Sequence, residues 1–458
     1  MKNVKMKWLF SLAVCLLLFA TACNGGADGG DAGDAGDTDG DTQEDITLEY
    51  LAFAQPQEQE IYQQIFEQFE QDYPHVTIDA TFLPPDDFWQ QVQTRLGAGT
   101  QPDVFYVAPG NLDLLVDNNQ IMELTEFIEA TGIFNLDEIW ESGIRRYQRD
   151  GEIYALPKDV GPFAYGYNQD LFEAAGVEIP NPDEPMDWNE YIEIAKQLTI
   201  DANGNNAASP DFDRDNIVQY GADFWWPHAA VWSAGADWLN EDETEITMDT
   251  PEFKEALQFM YDLRHEHSVV PSHDAADATS GYVRWLEGTV AMFPIAPWDQ
   301  AAFWDLDFEY GLMPWPAHPE TMESRTWLGS LGIAVGSNTD HPQEAFNLVA
   351  YLSVDEDAQR QMMELGLQVP NIVSLADEFV ELEHLPHNKH VWIDTIEEYG
   401  RQAPQERTYN PEWWDRYNET VVELWMGNYT VEEYVETYQP ILQGLLDRAN
   451  EQRERSSR

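Results

Sequence analysis

Several tryptophans of this sequence occur beside Gly, Pro or charged residues and not on regular helical stripes. The chain has 17 tryptophans in 458 residues. A flat aromatic ring can stack on the C–H face of a sugar, while carboxylate, amide and basic side chains hydrogen-bond its hydroxyls. The pattern indicates a carbohydrate site, with core packing as the alternative role for each ring. The candidates for stacking are Trp225, Trp226, Trp298, Trp327 and Trp413.

Polar candidates for the same site lie at the ends of predicted strands and beside those tryptophans. Such positions suit ligand binding because the carboxyl ends of strands in an open α/β sheet border its crevice. A surface or hinge role is the alternative for each of them. The polar candidates are Gln55, Asn111, Lys158, Asp159, Asp299 and Arg325.

Two other groups of residues have the composition of metal ligands. The loop 211–223 begins with Asp-x-Asp-x-Asp, like a calcium loop, but its twelfth position is Ala222 where Glu is needed. A polar loop is the interpretation, with Ca²⁺ binding as the alternative. His265 and His267 do not share a helical face, and with His273 they suit the end of a helix better than zinc. We predict neither a metal nor a cofactor.

The sequence is strongly acidic. It has 85 Asp and Glu against 23 Lys and Arg, which gives a formal net charge of −62. A field of that sign repels nucleic acid and anionic membranes, so we expect no nucleic-acid partner. The acidic residues are spread along the whole chain and lysine is rare. This distribution favours a halophilic source, because salt screens the self-repulsion of such a surface.

The first 45 residues predict export and anchoring. Three lysines precede an apolar stretch from Trp8 to Ala20, which suits a signal peptide and is short for a membrane span. Small residues then lead into Cys23, which resembles a bacterial lipobox. We predict a signal peptide at 1–22 and an acylated Cys23 that begins an Asp/Gly-rich tether at 23–45. Cleavage that leaves Cys23 as a free thiol is the alternative. The predicted location is the extracytoplasmic face of the cell membrane, held there by a lipid anchor.

The segment after the tether predicts alternating strands and helices. Apolar alternation predicts strands at 46–53 and 76–82 and a short buried strand at 104–107, while helical spacing predicts helices at 61–73 and 88–96. This β-α-β-α-β order favours a doubly wound, largely parallel sheet. The C-terminal third is predicted to be mostly helical.

Three motifs follow one another along the chain. LGAGTQPDV at 96–104 enters the third strand, DGEIYALP at 150–157 precedes YGYNQDLF at 165–172, and WLEGTVAM at 285–292 precedes Pro297-Trp298. Together they resemble the extracellular solute-binding family 1, the sugar-binding subunits of ABC importers. Trp298 matches the family motif whose aromatic residue faces the cleft.

The resemblance implies an α/β, two-lobe, periplasmic-binding-protein-like fold of type II. Each lobe would be a mixed sheet flanked by helices, with the ligand cleft at the hinge. The first lobe would comprise 46–155 plus about 310–350, and the second 156–309 plus about 351–458 with the C-terminal helices. Closure about the hinge would capture the ligand.

The implied function is capture of a sugar, in the form of an oligosaccharide, and delivery to the membrane permeases of an ABC importer by a monomeric protein. The alternatives are a secreted carbohydrate-active enzyme and a binder of another solute, such as a polyol phosphate or a peptide. We find no G-x-S-x-G, no H-E-x-x-H and no glycine-rich phosphate loop in the sequence. Basic residues are too scarce to favour a phosphate ligand. We therefore predict a binding protein and not an enzyme.

Overall fold

The computed structural model describes residues 44–456 apart from Trp225 and Ser330. The predicted signal peptide, Cys23 and nearly all of the tether lie outside this range. The strands are β1 (Ile46–Phe53), β2 (Val76–Leu83), β3 (Val104–Val107), β4 (Gln148–Arg149), β5 (Glu152–Ile153), β6 (Leu156–Pro157), β7 (Gly161–Pro162), β8 (Ala164–Asn168), β9 (Ile200–Asp201), β10 (Ile217–Gln219), β11 (Met292–Ile295), β12 (Tyr310–Met313), β13 (Thr326–Gly329), β14 (Gly332–Val335) and β15 (Gly400–Arg401).

Helices cover the sheets and dominate the last third of the chain. They are α1 (Pro56–Asp72), α2 (Pro85–Ala98), α3 (Leu112–Asp117), α4 (Thr125–Thr131), α5 (Glu141–Ile144), α6 (Gln169–Ala175), α7 (Trp188–Leu198), α8 (Pro227–Ser233), α9 (Pro251–His265), α10 (His273–Ala278), α11 (Gly281–Leu286), α12 (Gln300–Phe303), α13 (Pro342–Val354), α14 (Glu356–Glu364), α15 (Ala376–Val380), α16 (His390–Asp394), α17 (Glu412–Trp425) and α18 (Val431–Ser456).

The first sheet has the strand order β2-β1-β3-β14-β6. β1 pairs in parallel with β2 and β3, and the alternation of Ile46, Leu48 and Tyr50 places these three side chains in the core. The predicted β-α-β-α-β order from 46 to 107 is therefore confirmed. Of the remaining two strands, only β14 runs in the opposite direction: it returns from the second half of the chain and pairs antiparallel with β3 and β6. The sheet is therefore largely parallel but mixed, as expected.

The second sheet has the order β11-β8-β12. Both of its pairings are antiparallel, whereas a mixed sheet was expected here. Its β8 lies in the middle, where Ala164 and Tyr165 are fully buried. The Tyr165 ring also lies 4.9 Å from that of Trp315, tilted by 36°, and its hydroxyl donates a hydrogen bond to the carbonyl oxygen of Asp223.

A third sheet, with the order β15-β13-β7, is built from the segments that connect the other two. In the chain, β7 lies between β6 of the first sheet and β8 of the second. β13 lies between β12 and β14, in the reverse sense, and pairs antiparallel with β7 and parallel with β15. Two chain segments therefore cross side by side between the two sheets, and β15, which lies between α16 and α17 in the chain, pairs beside them. This is the arrangement that a hinge requires.

The apolar core forms two clusters. One is built on the first sheet and its helices, and the other on the second sheet with α7, α9, α17 and α18. Phe379 and Trp392, from the region predicted for the second lobe, pack in the first cluster. The lobe boundaries stay a prediction. In the part of the chain that the structure describes, none of the helices combines the length and the apolar character needed to cross a membrane.

Candidate functional site

A cavity of about 650 Å³ lies where the two sheets face each other. Its walls come from the carboxyl ends of β1 and β3, from the turn after β11, from β13 and from α17, as expected for the crevice of an α/β sheet. Seven of the eleven predicted ligand residues line this cavity. They are Gln55, Asn111, Lys158, Asp159, Trp298, Asp299 and Trp327.

The aromatic wall of the cavity is formed by Trp298, Trp327 and Trp414. Phe163 supports two of these rings, edge-on to Trp298 at 5.2 Å and stacked on Trp327 at 5.5 Å between centroids. Gly161 makes room for Trp298, because a Cβ atom there would lie 2.5 Å from its ring. The rings are therefore held in place by packing and do not depend on a ligand for their position.

A buried ion pair follows directly from the YALP segment. Lys158 Nζ lies 2.9 Å from Asp159 Oδ2, and Asp159 Oδ1 accepts a 3.3 Å hydrogen bond from the backbone N–H of Leu331. Burial lowers the pKa of Lys158, but the carboxylates of Asp159 and Glu58 outweigh it and the net pKa is raised. The cavity therefore contains a fixed ammonium group beside the first crossing segment.

Two carboxyls in the cavity are stabilised in their neutral form by burial. Glu58 accepts a 2.6 Å hydrogen bond from the backbone N–H of Gln55 at the start of α1, and its pKa is raised by burial, with Lys158 opposing. Asp299 accepts a 3.2 Å hydrogen bond from the backbone N–H of Ala296. Burial, assisted by Glu58, raises the pKa of Asp299 to about 7. The Asp299 carboxyl group can therefore donate or accept a hydrogen bond near neutral pH.

A short turn at 404–407 connects the cavity to both lobes. Glu406 accepts a 3.2 Å hydrogen bond from the Trp327 indole and pairs with Arg146 at 3.1 Å, with both charged groups almost fully buried. The next residue, Arg407, pairs with Asp237 at 2.7 Å in a more exposed setting. Burial raises the pKa of Glu406, and Arg146 opposes this.

Three of the described ligand candidates do not line the cavity. Trp226 packs behind the wall, 5.2 Å from Trp327, and Arg325 pairs with Glu323 at 2.9 Å. Trp413 is fully buried and donates a 3.0 Å hydrogen bond to Thr408, while its neighbour Trp414 reaches the cavity. Trp225 lies outside the described residues.

The sequence interpretation missed several lining residues. Glu58 lies in the first turn of α1, where a carboxylate is ordinary at a helix N-terminus and gives no separate signal. The other missed residues lie in segments that are distant in sequence from the predicted strand ends, or at a strand end that carries no recognisable motif. They are Tyr106, Tyr282, Glu406, Trp414, Asp415 and Asn418.

The loop that resembled a calcium site is held by hydrogen bonds to two carboxylates, Asp201 on β9 and Asp213 within the loop. Asp201 accepts from the backbone N–H groups of Asn203, Asn205 and Asp213 at 2.8 Å each. Asp213 in turn accepts from the side chain of Asn216 at 2.8 Å. Among the described residues, no group of three or more His, Cys, Asp or Glu side chains is arranged to hold a metal ion.

The cavity therefore combines stacking surfaces with a few fixed polar groups, an arrangement that suits a flat, hydroxyl-bearing solute. The sequence profile of the bacterial extracellular solute-binding protein family matches residues 54–359. This chain belongs to that family. The predicted family resemblance is thereby confirmed.

Among curated relatives, an arabinooligosaccharide-binding protein of Halalkalibacterium halodurans is 27% identical over 258 residues. The match covers 55% of this solute-binding protein and 54% of the relative, so it spans about half the length of that protein. A lactose-binding protein of Rhizobium radiobacter is 24% identical over 265 residues, covering 54% of this chain and 57% of the relative.

Solved structures show the same fold. An ABC substrate-binding protein from Listeria monocytogenes, in complex with cycloalternan, is similar with a TM-score of 0.78 and 19% identity. The match covers 88% of this chain and 99% of that one. The predicted two-lobe, type II periplasmic-binding-protein-like fold is confirmed by this similarity.

Proposed function

We propose that this solute-binding protein captures a sugar outside the cell and delivers it to the permeases of an ABC importer. The observation that supports this most directly is the meeting of Trp298, Trp327 and Trp414 around the buried Lys158–Asp159 pair. Aromatic faces can stack on the sugar ring, and the charged and neutral polar groups can bind its hydroxyls. The relatives whose names specify arabinooligosaccharide and lactose are consistent with this class of ligand.

The charge of the cavity argues against a phosphorylated solute. Its lining has five carboxyls and one lysine. Lys158 is already paired with Asp159, so an anionic ligand would find no second basic residue among the described lining residues. Its repulsion from those carboxyls that are ionised would be only weakly screened in a partly desolvated space. A neutral sugar avoids that cost, and the binding of a polyol phosphate is correspondingly disfavoured.

Capture would proceed by closure about β7, β13 and β15. The predicted lobes, 46–155 plus about 310–350 and 156–309 plus about 351–458, would approach each other across the cavity. A ligand that contacts both walls binds the closed state more tightly than the open state, and it therefore shifts the population towards closure. No chemical step on the ligand is part of this proposal.

The site would act at the membrane surface. Acylation of Cys23 would anchor the protein outside the cell, and the acidic segment 23–45 would give it reach. We propose a monomer that docks in its closed form on the importer. The net charge of −62 further supports a high-salt environment, where the protein would be most stable.

Calorimetry at high salt with arabino-, malto- and manno-oligosaccharides and their monosaccharides tests the proposal. Replacing Trp298 by Ala should weaken binding of a bound sugar by about 1–3 kcal/mol, because the stacking surface is lost. Trp304→Ala is the matched control, since Trp304 is partly exposed, stacks on His384 and lies outside the cavity. Absence of binding to every saccharide, or hydrolysis of any of them, would contradict the proposal.

A further inference from the structure

A second cavity of about 540 Å³ adjoins the first. The two share Tyr282, Trp298 and Asp299 as lining residues, so Trp298 borders both spaces. The second cavity extends into the lobe built on β11 and β8, between α9, α10 and the end of α17. A ligand that stacks on Trp298 can therefore continue past the ring in this direction.

Asp223 is the most unusual residue of the second cavity. Its side chain is buried, and no described residue donates a hydrogen bond to its carboxyl group. Burial raises its pKa to about 6, and the positive charges of Arg264 and Arg284 oppose this. No described residue forms an ion pair with Asp223, so Arg264 and Arg284 both lie more than 4.0 Å from its carboxylate oxygens. The carboxyl group keeps its hydrogen-bonding capacity for something else.

Space for this carboxyl group depends on a glycine. A Cβ atom at Gly281 would lie 1.9 Å from Asp223 Oδ2, a distance that no side chain can occupy. The absence of a side chain at 281 therefore lets the carboxyl group remain in the wall of the cavity.

Arg264 presents the complementary group in the same cavity. Its guanidinium donates to the backbone carbonyls of Met260 and Phe224 at 2.9 and 3.1 Å, and lies 5.1 Å from the centre of the Trp425 ring. These contacts fix its orientation but use only two of its five N–H groups. The guanidinium and the Asp223 carboxyl group therefore border one cavity without contacting each other.

An acceptor and a donor fixed apart in one cavity match a pair of neighbouring hydroxyls. One hydroxyl donates to the carboxyl group, and the other accepts from the guanidinium. A uronate or a phosphate would pair with the arginine but would be repelled by Asp223 and Asp299. An apolar chain would leave both charged groups without partners at a cost in free energy.

We propose that the ligand is a neutral oligosaccharide that passes Trp298, with one unit in the second cavity hydrogen-bonded between Asp223 and Arg264. This inference rests on the proposed sugar-binding function and adds to it a requirement for chain length. The first cavity alone would hold the shorter saccharides, and the second would select for longer ones.

The test is calorimetry on the full-length protein at high salt, with arabino- and malto-oligosaccharides from the disaccharide to the hexasaccharide. In the series that binds, affinity should rise with length until the second cavity is filled and then level off. This measurement on the unmodified chain does not depend on whether a variant folds.

Two variants locate the gain in affinity. Asp223→Asn should weaken the longer members about tenfold more than the disaccharide, because a hydrogen bond to a charged group is lost. Ala276→Trp, on the wall of the second cavity, should remove the dependence on length by filling the space. The matched control is Asp183→Asn, an exposed carboxylate that pairs with His390 outside both cavities, and thermal unfolding checks that each variant is folded.

The outcomes separate the two proposals. A gain with length that is lost in both variants supports the second cavity as part of the site. Saccharides that bind with an affinity independent of length, or a gain that survives in both variants, would overturn this inference and leave sugar binding intact. Failure of every saccharide to bind the unmodified protein would overturn both.

Discussion

Two groups of tryptophans meet at Trp414 and have different surroundings. Trp298 and Trp327 face the cavity with polar groups beside them, whereas the second group surrounds a buried histidine. We call this second group the His228 cluster. It consists of His228 with Trp226, Trp232, Trp238 and Trp414, whose rings lie 4.7, 4.8, 4.9 and 5.0 Å from the imidazole.

The difference shows that aromatic density alone does not define a binding site. In the His228 cluster the rings pack on one another, and neither nitrogen of the fully buried imidazole hydrogen-bonds to a described residue. In the cavity, the rings leave a space bordered by Lys158, Asp159 and Asp299. Ligand binding requires that open space and its polar groups, while the His228 cluster contributes stability.

The largest expected effect separates these two roles directly. Trp238 is fully buried in the His228 cluster, so Trp238→Ala should lower the free energy of unfolding by about 3–5 kcal/mol, measured by denaturant titration at high salt. The affinity of the remaining folded protein for sugar should be unchanged. Trp298→Ala is the counterpart and should mainly reduce affinity. If Trp238→Ala weakened binding as strongly, the division into two groups would be wrong.

The next effect concerns pH and the cavity. The pKa of Asp299 is raised to about 7, whereas an unfolded aspartate titrates near 4. Between these values the folded protein holds a proton that the unfolded chain does not. The free energy of unfolding should therefore fall as pH rises from about 4 to about 7.

Asp299→Asn should remove up to about 4 kcal/mol of that fall, as measured by unfolding across this pH range, since each pH unit is worth about 1.4 kcal/mol. Asp223, with a pKa of about 6, contributes a smaller fall of the same sign that the variant should keep. An unchanged slope in the variant would show that Asp299 is ionised in the folded protein.

The smallest expected effect has the opposite sign and belongs to the His228 cluster. Burial lowers the pKa of His228 well below 6.5, so the folded protein excludes a proton that the unfolded chain binds. The contribution of His228 to stability should therefore decline as pH falls below 6.5, by about 1.4 kcal/mol per pH unit, and it should offset part of the gain from Asp299 and Asp223. In unfolding experiments from pH 7.5 to 5.5, the His228→Leu variant should lack this contribution, so its stability should rise more steeply than that of the unmodified chain as pH falls. Parallel pH profiles for the two proteins would show that His228 does not titrate between the folded and unfolded states.

Sequence patterns predicted the parts of the molecule that depend on local order. The strands and helices from 46 to 107 follow from alternation and helical spacing, because each element buries one face of its own. Trp298 and the Lys158–Asp159 pair were found because they follow local motifs. Such signals depend on neighbours in the chain and can be read without tertiary structure.

The remaining site residues depend on tertiary contacts that no local pattern reports. Trp413 and Trp414 are adjacent in α17, so their side chains leave the helix in directions about 100° apart. Which of the two faces the cavity is decided by how the helix packs. Glu406 pairs with Arg146, which lies 260 residues earlier in the chain. The return of β14 into the first sheet is likewise a long-range pairing, and it makes that sheet mixed.

The turn at 404–407 places opposite charges on adjacent residues, and each is bound to a different lobe. The Glu406–Arg146 pair is sealed from solvent, whereas Arg407 and Asp237 are partly exposed. Dissolved ions weaken the exposed contact much more than the sealed one. We therefore expect the turn to keep its contact with Arg146 as salt rises, while its contact with Asp237 weakens. In a saline habitat, the turn would be held more firmly on the side of Arg146 than on the side of Asp237.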